Sequence, residues 1–121
     1  MAFIQEKVIN VVTDASGDVT EYSEAVSGII LDAYYVKDGS NPFADGVDIT
    51  ITTERYGVAI VAATNQNTSA HWTPRQIAHL NTSVATVTGA QEPIPVSTDR
   101  IKVVVAQGGN AKNGRIVIQV G

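Results

Sequence analysis

The sequence predicts a single all-β domain over residues 1–121, an antiparallel β-sandwich or barrel of about seven or eight strands with at most one short helical turn. Three observations carry that prediction. Valine and isoleucine number 29 against 2 leucines, with 12 threonines besides, and β-branched side chains pack best on a pleated surface. Apolar residues alternate at a period of two, most clearly in Ile101, Val103, Val105 and in Ile116, Ile118, Val120, which places each set on one strand face. Clusters of Gly, Asp, Asn and Pro interrupt the apolar runs at short intervals, as turns do in a sandwich or barrel.

The first strand is expected over Ile4–Thr13, ended by the turn residues Asp14-Ala15-Ser16-Gly17-Asp18. A second segment starts near Val19 and runs through Tyr22. Gly28–Lys37 follows as a central strand, closed by Asp38-Gly39-Ser40-Asn41-Pro42. In that strand one of Tyr34 and Tyr35 must face the core and the other must face out. Val47–Thr53 reads as a half-buried strand, with Val47, Ile49 and Ile51 on the inner face. Gly57–Ala63 is almost wholly apolar and is expected to be buried on both faces. Asn65–Ala70 is a polar loop, and Val84–Thr88, with a start as early as Leu80, is a further strand.

The helical turn is expected at Thr73-Pro74-Arg75-Gln76, where a threonine N-cap precedes proline at the first helical position and glutamine at the capping-box position. An irregular loop is the competing expectation there. Gln91–Val96 is held extended by Pro93 and Pro95. Ile101–Gln107 and Arg115–Val120 then flank Gly108, Gly109, Asn110, Asn113 and Gly114, which predicts a closing β-hairpin.

A length of 121 residues suits one domain with a real core. The formal charge is −4 and only 8 Lys and Arg are present, without a cluster, so nucleic acid is not an expected partner. No run approaches the roughly 18 apolar residues of a membrane span, and MAFIQEKVIN lacks the basic and apolar regions of a leader. No membrane partner and folding in a cytoplasm are therefore expected. The absence of cysteine excludes disulfides and thiol chemistry.

No arrangement predicts catalysis, a cofactor or a metal. The glycine-rich link precedes a strand and lacks G-K-[ST], so it reads as turn chemistry rather than a phosphate cradle. His71 and His79 lie eight apart with no cysteine and no nearby acid, a poor zinc pattern. Asp14–Asp18 and Asp45–Asp48 lack the calcium loop pattern and read as Asx turns. Ser69, His71 and Asp99 form a catalytic set only if the fold gathers them. The candidate protein–protein contact is Trp72 with Pro74 and Arg75, because Trp and Arg are enriched at hot spots; a ring folded over its own core is the alternative.

The stretches TDASGDVTEYSEAVSGIILDAYYVKDG (13–39), VDITITTERYG (47–57) and TDRIKVVVAQGGNAKNGRIVIQVG (98–121) resemble small virion structural proteins of tailed bacteriophages. That resemblance implies a non-enzymatic capsid decoration or cement protein of the virion. It would fold in the bacterial host cytoplasm, then bind the major capsid protein and itself, with a trimer favoured. The alternatives are a neck, tail or fibre-base module of the virion, and a carbohydrate-binding β-sandwich. Residues 64–97 match least and are the expected seat of partner specificity.

Overall fold

One bent strand organises the molecule. The computed structural model describes residues 3–121. Its strands are β1 (Gln5–Val12), β2 (Val19–Lys37), β3 (Asp48–Thr53), β4 (Ala59–Ala63), β5 (Ala70–Trp72), β6 (Gln76–His79), β7 (Thr86–Glu92), β8 (Ile94–Ala106) and β9 (Asn113–Val120). All strand pairings are antiparallel. The expected segments Val19–Tyr22 and Gly28–Lys37 are one strand, β2, of 19 residues.

The expected closing hairpin does not form. The sheet order is β1-β9-β2-β8-β3-β4, with β5 also on β2, so β2 lies between β8 and β9. The N-terminal half of β2 pairs with β8, from Val19↔Val105 to Ile30↔Ile94; its C-terminal half pairs with β9, from Ile30↔Val120 to Lys37↔Gly114. Extended, 19 residues would span about 60 Å. The link Gln107–Lys112 between β8 and β9 reaches no more than about 25 Å. The two ends of β2 are therefore close together, and β2 doubles back near Gly28–Ile30.

The sheet thus folds over into a sandwich. One layer holds β1, β9, the C-terminal half of β2 and β5; the other holds the N-terminal half of β2, β8, β3 and β4. The glycine-rich link is an arch between layers rather than a hairpin turn within one.

Local sequence makes the bend in β2 feasible. Register shifts fall between Tyr22 and Ala25, Val26 and Gly28, and Ile30 and Asp32, and bulges of this kind bend a strand. Gly28 has φ +135°, and a Cβ there would lie 2.9 Å from the Gly121 carbonyl oxygen, so glycine meets both the dihedral and the close approach. The neighbouring residue closes the ladder: Ile29 and Gly121 exchange backbone hydrogen bonds at 2.6 and 2.9 Å.

At the opposite end three loops knit together. Thr13 N–H donates to the Lys112 carbonyl at 2.9 Å, Gly108 N–H to Gly17 at 2.8 Å, and Ala44 N–H to Gly108 at 2.8 Å. Asp14 accepts from Ser16 and Asp18 N–H groups, the Asx-turn chemistry expected of it. Phe43, carried on the Asp38–Val47 loop, covers this end of the core, packed over Gly114 and Gly108 and stacked on Tyr35.

The core lies between the layers and includes Ile9, Val11, Ile30, Ala33, Tyr35, Ile49, Ile51, Ile101, Val103, Val105, Ile116, Ile118 and Val120. Val47, Ile49 and Ile51 face inward as expected, and of the tyrosine pair Tyr35 is the buried one. Gly57–Ala63 departs from expectation. β4 is an edge strand in which Ile60 and Val61 are buried while Ala59 and Ala62 are exposed, so it does not fill a central position.

The expected helical turn is also absent, and no helix occurs among the described residues. Gln76–His79 is strand β6, pairing Gln76 with Glu92 and Ile77 with Gln91. A one- or two-turn helix bears the full nucleation cost with few hydrogen bonds to offset it, whereas a ladder with β7 satisfies the same backbone groups. β7 itself begins at Thr86 and leaves Val84 in the connecting turn.

Burial pushes the Tyr35 phenol above its ordinary range, and the nearby negative charge of Asp38 adds to the effect. An unfolded tyrosine titrates near 10. The neutral phenol therefore contributes its full stability below about pH 10, and that contribution is lost as pH rises through the higher folded value. Tyr35→Phe is expected to flatten the alkaline limb of a stability–pH profile relative to wild type in urea titrations. Parallel profiles above pH 10 would show that the phenol does not ionise differently on unfolding.

Candidate protein-binding surfaces

The most prominent surface feature is an arm. The chain leaves the sandwich after β5, forms the two-stranded sheet β6–β7, and returns at β8. β6 and β7 pair only with each other. Their apolar side chains are correspondingly open: Ile77 and Leu80 are about half exposed, and Val84 at the tip is 92% exposed. Residues 73–93 carry one arginine, one glutamate and one histidine among many Thr, Ser, Asn and Ala, so the arm has little charge to keep apolar partners away.

The structure gathers Trp72, Pro74 and Arg75 at the base of this arm. Trp72 lies opposite Ala33 in β5, partly buried, and packs against the core. Pro74 is buried and Arg75 exposed. Arg75 Nη1 donates to the Pro74 carbonyl at 2.6 Å and approaches Leu31 O at 3.5 Å. Gln76 Nε2 donates to Pro93 O at 3.0 Å, tying the outgoing and returning strands together.

A second feature is the outer face of the layer containing β1. The register places Val8, Val117, Tyr34 and His71 in one row across four strands. His71 stacks on Tyr34, centroids 4.4 Å apart at 8°, and its Nε2 lies 2.9 Å from Asp32 Oδ1. Val117 is buried yet stands outside the core cluster, because Val8 and Tyr34 flank it on the outer face. On the other layer the Arg100 guanidinium sits 4.1 Å from the Tyr22 ring centre and pairs with Glu54, which strengthens its hold on its proton.

The remaining chemical candidates are dispersed. Ser69 Oγ accepts from Lys37 N–H, His71 faces Asp32, and the Asp99 carboxylate accepts from the N–H groups of Arg55 and Arg100; Ser69, His71 and Asp99 form no hydrogen-bonded set. His79 lies in the arm, apart from His71. Asp48 accepts from Asn65 N–H. No group of three or more His, Cys, Asp or Glu suited to a metal ion occurs among the described residues. The sequence did not point to Asp32 or Tyr34 as neighbours of His71, because the pairing depends on β5 adding to β2.

No family model matches the chain, and no curated protein matches it. A solved structure titled "Crystal Structure of FLHE" is similar at 10% sequence identity and a TM-score of 0.47, over 98% of this chain and 98% of its own. A likeness of that degree carries no argument about activity. The expected assignment as a phage head decoration or cement protein is corrected: it finds support in none of these comparisons and is withdrawn. The turns in the stretches on which that expectation rested are the loops that knit one end of the sandwich, the arch between its layers and the β3–β4 turn, features of folding rather than of a particular virion role.

Proposed function

We propose that this chain is a non-enzymatic interaction module that binds a partner protein through its β6–β7 arm. The observation that carries the reading is the exposure of Ile77, Leu80 and Val84 on a hairpin whose strands pair only with each other. Apolar groups held off the body gain nothing for the fold, whereas their burial by a partner yields about 25 cal/mol per Å². The exposed Arg75 at the arm base adds a residue type that concentrates binding energy, while the Trp72 ring packs on its own core. A non-enzymatic reading is supported by the use of His71, Asp32, Asp99 and Ser69 in contacts within the fold.

The test is a paired substitution, Leu80→Ser with Val84→Ser. Both side chains are exposed, so unfolding free energy should change by less than about 0.5 kcal/mol. In native extracts of the cells that make it, the tagged wild-type chain is expected to migrate in a complex on size exclusion. The double variant is expected to migrate at its free mass. Identical migration of the two proteins would remove the arm from the binding surface.

A further inference from the structure

The two strands that end the main strand order, β1 and β4, are built differently. β4 is five residues long, and a register shift between Ile51 and Thr52 interrupts its ladder with β3; short length and bulges are devices that blunt an edge. β1 pairs with β9 over eight consecutive residues with no shift, contains no proline, and ends the strand order. Three exposed apolar residues lie along it: Ile4 at 62%, Val8 at 52% and Val12 at 56%. Their spacing of four puts them on one strand face. Ile4 continues that face beyond β1, since its Cγ1 lies 3.5 Å from where a Gly121 Cβ would stand.

We propose that β1 pairs antiparallel with β1 of a second copy about a two-fold axis through Val8, joining the two β1-containing layers into one eight-stranded sheet. An isologous contact requires a surface complementary to itself, and β1 is so along its length. Val8 meets Val8 of the partner subunit, Ile4 meets Val12 of the partner subunit, and Glu6 meets Asn10 of the partner subunit. No like charges oppose one another.

The neighbouring registers lack this match. An axis through Lys7 opposes two ammonium groups, which destabilises a cross-strand pair. An axis through Ile9 sets Val8 against Asn10 and Val12 against Glu6. The favoured register also doubles the outer row of Val8, Val117, Tyr34 and His71 into one continuous stripe. This pairing uses a surface separate from the arm, and its failure would leave the arm reading untouched.

The chain contains no cysteine, which makes a register-specific test available. Directly opposed residues in antiparallel strands have Cα atoms about 4.5–5.5 Å apart, within disulfide range. Val8→Cys is therefore expected to give a covalent dimer under mild oxidation. Asn10→Cys places its two thiols four residues out of register, about 13 Å apart, and is expected to stay uncrosslinked.

Val8→Lys, which opposes two ammonium groups at the axis, is expected to weaken self-association more than about tenfold in light scattering. Its circular dichroism should be unchanged. If that variant fails to fold, the cysteine pair decides alone. Wild-type protein that stays monomeric up to about 1 mM would overturn the proposal. So would crosslinking through Asn10→Cys as readily as through Val8→Cys. Pairing of β1 with an unrelated extended peptide in place of its own copy would overturn it as well.

Discussion

Ile49→Asp is expected to yield no folded protein. Ile49 is fully buried on β3 between Val105 of β8 and Ala63 of β4, so neither cross-strand neighbour offers a positive charge. Truncating a buried isoleucine alone costs about 2–5 kcal/mol, and a carboxylate held there without a partner adds several more. The total is comparable to the roughly 5–15 kcal/mol by which a typical domain is stable. Ile118→Asp, equally buried, is expected to be less severe, because Lys7 stands directly across the β1–β9 ladder. Urea denaturation and circular dichroism would rank them. A folded Ile49→Asp protein would mean that the inner face of β3 is assigned wrongly.

Gly114→Ala is expected to cost about 2–3 kcal/mol for a single methyl group. A Cβ at Gly114 would stand 2.6 Å from Phe43 Cζ, far inside contact distance, and Phe43 is itself pinned between Tyr35 and the arch. The ring must leave or the arch must move. Phe43→Ala supplies the control. In a Phe43→Ala background the added methyl finds space, so Gly114→Ala should then cost almost nothing and the two effects should be strongly non-additive. Additive costs in a double-mutant cycle would show that Phe43 is not the obstacle.

Strands and their faces were legible in the sequence, because alternation at period two directly encodes which residues point inward. Ile49, Ile51, Ile101, Val103, Ile116 and Ile118 are all buried. Neighbours were not legible, since two strands with inward alternation look the same whether they lie side by side or face each other across a core. That is why Ile101–Gln107 and Arg115–Val120 read as a hairpin although β2 lies between them. The signal that distinguishes the cases is the length of β2 with Gly28 at its middle. A strand of 19 residues is too long for a domain of this size unless it folds over.

The arm was legible only as a region. Residues 64–97 stood apart from the rest, yet Thr73-Pro74-Arg75-Gln76 suggested a helix start. Ile77, Leu80, Val84 and Val87 even follow helical spacing. Spacing of that kind specifies a helix only where a body exists to bury the apolar face, and Ile77, Leu80 and Val84 stay exposed. Trp72, Pro74 and Arg75 were singled out by residue type and lie together at the arm base. The surfaces that depend on long-range pairing, such as Asp32 with His71 or the free edge of β1, needed the fold.

The most direct measurement of the arm's role is site-specific photocrosslinking in the cells that make this chain, with a photoreactive amino acid at Val84 and, as a control, at Thr50 on the outer face of β3. A discrete crosslinked protein is expected from Val84 and is expected to be absent from Thr50. Uncrosslinked chain from both positions, or the same products from both, would contradict that role.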